Sequence, residues 1–293
     1  MGDNSTIGWT NATWNPISGC SKVSPGCAHC YAETVSHRFG WTTKPWTATN
    51  ASVNVQWHPD RLDRPFRWKR GRLIFVNSMS DLFHEVVPDA WIDAVFAVMA
   101  MNAQHTYQIL TKRPQRMRNY LRDPQTVLRI AEVINRMDDR RAYDVFADDL
   151  RHGAAWPLRD VWLGVSVEDQ RCADERIPLL LQTPATVRFL SCEPLLGPVD
   201  LSAIPLPAPG GDPVLVNALH RSSVLAPRVD WVIAGAESGP GARPMEDDWV
   251  RTLRDQCQAA GAAFFFKQRA HNGHKEIDPV LDGRQWLEMP GRN

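Results

Sequence analysis

Three cysteines lie close together near the start of the chain, and their type and spacing predict chemistry more clearly than any other feature. Cys20, Cys27 and Cys30 follow the pattern Cys-x6-Cys-x2-Cys, and the other three cysteines are scattered singly. Pro25 and Gly26 favour a turn that brings the first thiolate towards the close pair. Three thiolates leave one coordination position open. The arrangement therefore favours a reactive iron–sulfur cluster over a closed structural metal site.

Two other interpretations of the cysteine segment stay open at this stage. His29 lies between two of the cysteines and could supply the missing nitrogen of a zinc site, although neighbouring residues seldom converge on one ion. Alternatively, the three thiols could be reduced and purely structural. Among the scattered cysteines, Cys192 follows a predicted strand and could reach a site, whereas Cys257 shares a helical face with apolar residues and is expected in the core.

Length, charge and hydropathy limit the class of protein. A chain of 293 residues can form one large α/β barrel or two small domains. It carries 33 basic and 33 acidic residues, so the molecule as a whole does not attract polyanions. The tight cysteine trio suits a reducing compartment. We therefore expect a cytoplasmic location. No run approaches about eighteen apolar residues, so no membrane span is expected.

Short β-rich segments alternate with helical patterns along most of the chain. The predicted strands are Ala12–Ile17, Leu73–Ser78, Thr106–Thr111, Val161–Ser166, Val187–Ser191, Trp231–Gly235 and Ala263–Lys267. The predicted helices are Asp89–Met101, one that contains Met117 and Leu121, one that reaches Leu181, and Asp247–Ala260. This alternation predicts a parallel sheet in a single α/β domain over residues 1–293. We expect a partial or full TIM-like (βα) barrel with the cysteine loop after the first strand. A doubly wound open sheet is the alternative.

Two segments interrupt the alternation. Residues 137–160 are rich in Asp and Arg and are expected to decorate the surface. Residues 201–228 are rich in Pro and Gly, including Pro209, and are expected to form a long loop or a lid.

Most predicted strands end in polar or charged residues, at the edge where parallel barrels carry their chemistry. These residues are Asn77, Ser78, Asp81, Thr111, Lys112, Arg113, Ser166, Glu168, Asp169, Ser191, Glu193, Glu237, Ser238, Arg243, Lys267 and Gln268. In the fourth predicted strand, alternation places Ser166 and Glu168 towards the lumen. Glu168 could bind a cofactor there, or it could form a buried salt bridge with Lys112 or Arg243. The loop from Gly235 to Gly239 offers backbone amides to an anion or an adenine edge.

Two basic segments stand out in this neutral chain. Arg61–Arg72 contains six cations, one acid and two aromatic residues, and Lys112–Arg122 adds further arginines. Cations interleaved with Phe66 and Trp68 suit a phosphate backbone with stacked bases. The alternative is a solvated face whose charge is compensated by the acidic surface of residues 138–149.

Against this background, the segments Asn15–Cys20 and Cys27–Ala32 resemble the cluster loop of radical S-adenosylmethionine enzymes, in particular the branch that includes spore photoproduct lyase. The first gap between cysteines is three residues longer here than the usual Cys-x3-Cys-x2-Cys. From Trp9 to about Pro290, the chain also resembles a phage-associated family of unknown function that carries the longer motif. The recurring segments of that family here are Asn77–His84, Thr111–Pro114, Glu193–Pro198 and Gly235–Arg243. If a phage encodes the chain, the expected location is the host cytoplasm.

The resemblance implies a function and roles for the candidate residues. Cys20, Cys27 and Cys30 would bind three irons of a [4Fe–4S] cluster whose fourth iron binds S-adenosylmethionine. A reducing electron donor would then allow a 5′-deoxyadenosyl radical to form. The candidate cofactor contacts are Tyr31, Ser166, Glu168, Gly235, Glu237, Ser238 and Gly239, and the candidate substrate contacts are Asp81, Lys112, Arg113, Glu193 and Arg243. By analogy with spore photoproduct lyase, a DNA or RNA substrate is compatible with the basic segments. The rival hypothesis is a non-catalytic zinc-binding nucleic-acid module.

Overall fold

A computed structural model describes residues 4–137, 143–208, 210–221, 227–239, 241–271 and 274–291. The strands are β1 (Ala12–Trp14), β2 (Ile17–Ser18), β3 (Gln56–Trp57), β4 (Leu73–Val76), β5 (Thr106–Thr111), β6 (Val161–Ser166), β7 (Val187–Cys192), β8 (Ile204–Leu206), β9 (Val214–Val216), β10 (Trp231–Gly235), β11 (Ala263–His271), β12 (His274–Ile277), β13 (Val280–Leu281) and β14 (Arg284–Gln285). The helices are α1 (Tyr31–Arg38), α2 (Ala51–Asn54), α3 (Asp89–Met101), α4 (Pro114–Arg122), α5 (Pro124–Met137), α6 (Asp144–Arg151), α7 (Gln170–Leu181) and α8 (Asp247–Ala260).

The centre of the fold is one eight-stranded sheet in the order β1-β4-β5-β6-β7-β10-β11-β12. The first seven strands pair in parallel, and β12 pairs antiparallel to β11. The strand order follows the chain and never reverses, which excludes the doubly wound alternative. Among the described residues no ladder joins β1 to β12. The prediction of an α/β fold with a mostly parallel sheet is therefore confirmed, and the sheet forms half a barrel rather than a closed one.

The predicted bounds of the first strand, Ala12–Ile17, are wrong. It divides at Asn15 and Pro16 into β1, which joins the large sheet, and β2, which pairs with β3 instead. Pro16 has no N–H to donate to a ladder, so the strand ends before it. The cysteines follow β2, so the chain leaves the sheet just before it reaches them.

Aromatic side chains on the concave face show that the sheet curls. Trp9, which precedes β1 at one edge, lies 6.2 Å from the ring of Trp231 in β10 and 6.4 Å from that of Phe189 in β7. A flat sheet would keep these strands far apart. Seven residues, here called the aromatic floor, pack together on this face: Trp9, Phe75, Trp162, Phe189, Trp231, Ile233 and Phe265.

Helices cover the convex face, and alternation along the strands explains the two layers. In β6, Leu163 and Val165 join the large outer core, whereas Trp162 joins the aromatic floor, as the sequence predicted. The side chain of Asp169 caps α7 by accepting a hydrogen bond from the N–H of Cys172 at 2.8 Å. Helix α8 ends at Gly261, whose left-handed φ of 63° suits glycine.

The two interrupting segments are more ordered than the sequence indicates. Within 137–160, α6 packs on α5 and buries Ala147 and Leu150, so the segment is more than surface decoration. Within 201–228, β8 and β9 form a hairpin that contacts α7, and Leu201 and Ile204 are buried in the outer core. This hairpin lies on the helical side of the sheet, so the expectation of a lid is not met by the described part. Residues 138–142, 209 and 222–226 lie outside the described residues.

None of the helices in the described ranges combines the length and the apolar character needed to cross a membrane.

Candidate iron–sulfur and radical site

The cysteine loop, residues 19–30, lies at the carboxyl ends of the parallel strands. The N–H of Gly19 donates to the carbonyl of Met79 at 3.0 Å and thereby fixes the start of the loop beside the end of β4. Gly19 has a φ of 83°, and a Cβ there would lie 2.5 Å from the carbonyl carbon of Asn54, so only glycine fits. All three thiols of the loop are free and half-buried.

A buried arginine from the end of β5 holds the first part of the loop. Nη2 of Arg113 donates to the carbonyl and to Oγ of Ser21, both at 3.1 Å, and its Nη1 lies 3.6 Å from Sγ of Cys20. Asp81 accepts a hydrogen bond from Nη1 of Arg113 at 3.1 Å and another from Oγ1 of Thr111 at 2.7 Å. Arg113 and Asp81 therefore orient the segment that carries the first thiol.

A second anchor comes from the end of β6. Glu168 is fully buried and forms ion pairs with Lys112 and with Arg176, the latter at 2.8 Å. Its Oε1 also accepts a hydrogen bond from Oγ of Ser24 at 2.7 Å. Burial alone would raise the pKa of Glu168, but the two cations lower it more, to about 2. The carboxylate therefore stays charged and holds the middle of the cysteine loop.

The third anchor comes from the loop after β10. Arg243 forms an ion pair with Glu237, and its Nη2 donates to the carbonyl of Pro25 at 3.0 Å. Nδ1 of His29 lies 2.9 Å from Oε2 of Glu237. Burial raises the pKa of Glu237, but hydrogen bonds from Arg243 lower it more, to about 2. The Arg243–Glu237 pair therefore contacts the loop on both sides of Cys27, at Pro25 and at His29.

Replacing Gly26 by alanine should loosen the second anchor, because this glycine rests directly on Glu168. A Cβ at position 26 would lie 2.5 Å from Cγ and 2.8 Å from Cδ of Glu168. That side chain cannot move aside without breaking its ion pairs. We expect Gly26→Ala to lower the free energy of unfolding by about 1–3 kcal/mol, measured by urea denaturation. Gly211→Ala is the control, since a Cβ at Gly211 meets nothing within 4 Å. Equal stabilities of the two variants would contradict this packing.

The remaining candidate residues lie at the carboxyl ends of the strands or directly beside the cysteine loop. Tyr31 directly follows Cys30, and its hydroxyl donates a hydrogen bond to the carbonyl of Ser78 at 2.6 Å. Glu193 lies 2.7 Å from Nζ of Lys267. A Cβ at Gly235 would come within 2.9 Å of Oε1 of Glu193, so the backbone approaches that carboxylate closely.

Three further candidates differ in how far they are engaged. Ser166 is buried on the inward side of β6. Oγ of Ser238 accepts a hydrogen bond from Nε2 of Gln268 at 2.7 Å. Gly239 has a φ of 105°, a conformation that favours glycine. These residues lie at or just after the ends of β6 and β10, and the carbonyl of Ser166 accepts a hydrogen bond from Arg176 of the second anchor at 2.7 Å.

The thiols of Cys20 and Cys30 are held in their protonated form. Burial, with a smaller contribution from Asp81, raises the pKa of Cys20 to about 12. Burial also raises the pKa of Cys30, and the neighbouring thiol of Cys27 adds to the shift. A metal centre would have to displace these protons, because the thiolate is the ligand.

The described residues do not form a site for a single metal ion. In the described part of the chain, no group of three or more His, Cys, Asp or Glu side chains is arranged to hold one metal ion. His29, the candidate fourth ligand for zinc, faces Glu237. In an iron–sulfur cluster each thiolate binds a different iron, so the three sulfurs surround the cluster and need not converge on one point.

Sequence reasoning missed three residues that hold the loop: Ser21, Ser24 and Arg176. A signal for Arg176 exists. It lies on α7 four residues after Cys172 and four before Leu180, both buried, so a cation is placed on the inward face of the helix. Such a cation needs a buried carboxylate, and alternation along β6 places Glu168 on the inward side just before this helix. The two serines carry no comparable signal.

Comparison with known proteins adds one finding. Residues 4–290 match a family described as a protein of unknown function, DUF5131. The chain belongs to this family. No curated protein and no solved structure matches it. Since the match covers nearly the whole chain, the cysteine loop and its three anchors all lie within the family region.

Proposed function

We propose that the chain is a radical S-adenosylmethionine-type iron–sulfur enzyme built on a partial (βα) barrel. The observation that supports this most is the placement of three free, half-buried thiols on one loop that is anchored at the carboxyl ends of a curled parallel sheet. Active sites of such sheets lie at that edge. Three thiols on one loop are also the donor set that leaves one iron of a [4Fe–4S] cluster open.

Cys20, Cys27 and Cys30 would hold the cluster. When bound with S-adenosylmethionine and reduced by an electron donor, such a cluster supplies a 5′-deoxyadenosyl radical. The loop anchors would orient the three thiols. The aromatic floor closes the lumen below and excludes water from that side.

The contacts divide the candidate residues into two groups. Asp81, Lys112, Arg113, Glu168, Glu237 and Arg243 are engaged in holding the cysteine loop or in the ion pairs beside it. We therefore propose that they are positioning residues. The other candidates for contacts with S-adenosylmethionine or substrate lie at the same edge of the sheet, and their side chains take no part in the three anchors: Tyr31, Ser166, Gly235, Ser238, Gly239 and Glu193.

Anaerobic reconstitution with iron and sulfide tests the proposal. We expect a brown protein whose visible absorption changes when S-adenosylmethionine is added, and which forms 5′-deoxyadenosine after reduction. A colourless protein that retains one tightly bound zinc would contradict the proposal and favour the non-catalytic zinc module instead. The same assay with added DNA or RNA would show whether a nucleic acid accelerates cofactor cleavage.

A further inference from the structure

Positive charge is concentrated in one stretch of this neutral chain. Residues 37–72 contain eight cations and only two acids. The cations are Arg38, Lys44, Arg61, Arg64, Arg67, Lys69, Arg70 and Arg72, and the acids are Asp60 and Asp63. Arg38, Lys44, Lys69 and Arg70 are exposed and form no ion pair with any residue of the described ranges. These unpaired cations make the stretch, here called the basic track, attractive to polyanions although the molecule as a whole is neutral.

Two exposed aromatic rings stand at one end of the basic track. Phe39 and Trp41 are 62% and 48% exposed. Their rings stack on each other with centroids 5.3 Å apart and an angle of 22° between planes. Exposed aromatic surface beside cations is the combination that binds single-stranded nucleic acids, because bases stack on the rings while cations neutralise phosphates.

A cavity opens next to Trp41 and has the size of one planar ring. Its volume is about 160 Å³. An apolar cavity of about 150 Å³ holds one benzene molecule. The lining residues are Asn15, Ser18, Trp41, Gln56, His58, Arg61 and Met79. Amide, imidazole and guanidinium groups can form hydrogen bonds with the polar edge of a heteroaromatic ring, which benzene lacks.

The cavity adjoins the cysteine loop. Ser18 lies two residues before Cys20. Asn15 exchanges hydrogen bonds with Ser78 at 3.2 Å, and Ser78 in turn accepts the hydroxyl of Tyr31, the residue after Cys30. A ring in this cavity would therefore lie beside the loop. Arg61 belongs both to the cavity lining and to the basic track, in which further cations follow it along the chain up to β4 at Leu73.

We propose that single-stranded nucleic acid binds along the basic track and places one base in the cavity beside Trp41. The claim that this nucleic acid is the substrate rests on the proposed function. The claim that it binds does not, because none of the groups that would contact it is a cluster ligand. A duplex fits less well, because a paired base cannot enter a cavity. An acidic protein would use the cations but would leave the ring-sized cavity without an occupant.

Fluorescence anisotropy of a labelled 12-nucleotide single strand tests the proposal, with the full chain both before and after reconstitution with iron. We expect Trp41→Ala to weaken binding by about tenfold to a hundredfold through lost stacking, and Phe39→Ala to weaken it less. The matched control is Leu215→Ala, which removes an apolar side chain that is 64% exposed and lies far along the chain. We expect the single strand to bind more tightly than the same sequence as a duplex.

The charge contribution has its own readout. Lys69→Gln combined with Arg70→Gln should reduce the slope of log Kd against log salt by about 1.4. The control is Arg136→Gln combined with Arg159→Gln, which removes two exposed cations outside the basic track. Equal binding of duplex and single strand, no effect of Trp41→Ala and Phe39→Ala, or equal binding of polyglutamate would overturn the proposal. Oligonucleotide binding without 5′-deoxyadenosine formation would overturn the proposed function alone.

Discussion

Glutamine in place of Glu168 should lower the free energy of unfolding by about 3–5 kcal/mol, because it leaves buried cations without their carboxylate. Glu168 is fully buried, and its partners Lys112 and Arg176 have side chains that are 19% and 6% exposed. Glutamine keeps the shape of the side chain but loses the charge, so the loss reports the ion pairs rather than a cavity. Ser24 would also lose its charged acceptor.

The same substitution should flatten the dependence of stability on pH in the acid range. The pKa of Glu168 is lowered from its ordinary 4.5 to about 2 in the folded protein. A carboxyl with a depressed pKa contributes stability that is fully present above pH 4.5 and is lost as the pH falls towards 2. We expect the wild-type chain to lose more stability over this range than Glu168→Gln.

Urea denaturation between pH 7 and pH 2.5, followed by circular dichroism, measures both effects. The matched control is Glu175→Gln. Glu175 pairs with Arg171 on the surface of α7, where both side chains are more than half exposed. An exposed pair of this kind contributes at most about 1 kcal/mol. If the two variants were equally stable at pH 7, Glu168 would not be the anchor that its contacts indicate.

Serine in place of Cys27 should abolish 5′-deoxyadenosine formation and reduce the iron content after reconstitution, while the fold is retained. A hydroxyl is a poor ligand for iron compared with a thiolate. The loop is anchored by Arg113, Glu168 and Arg243 rather than by its thiols. We therefore expect the free energy of unfolding to change by no more than about 0.5–1 kcal/mol. Iron analysis, visible absorption and chromatographic detection of 5′-deoxyadenosine give the three readouts.

Cys257→Ala is the matched control for this experiment. Cys257 is buried among apolar residues in the outer core, and the prediction that it is a core residue is confirmed. This variant should keep its iron and its activity. Full iron content in Cys27→Ser would show that the loop does not hold the cluster, and global unfolding of that variant would indicate a structural metal.

The sequence predicts the scaffold well where local signals are strong. The bounds of β5, β6 and β10 agree with prediction to the residue, as do those of α3 and α8. These elements combine β-branched or helical periodicity with polar residues at their ends. Alternation in β6 also placed Trp162 and Glu168 on the correct face.

The contacts of the candidate site were less predictable, because they join segments that are distant in sequence. Lys112 does pair with Glu168, one of the two bridges considered, but Arg243 pairs with Glu237, only six residues away. Ser24 meets Glu168 across 144 residues. Short-range patterns show which strand ends carry charge. They do not show how a loop folds back over those ends.

The aromatic floor has a consequence for the size of any molecule that enters from the mouth. Trp162 and Trp231 lie with their ring centroids 6.0 Å apart, and Trp231 also contacts Phe265. Rings packed at these distances fill the space along the concave face of the half-barrel. A polymeric substrate would therefore have to lie across the carboxyl edge of the half-barrel and insert one group at a time, whereas a small metabolite could be enclosed completely.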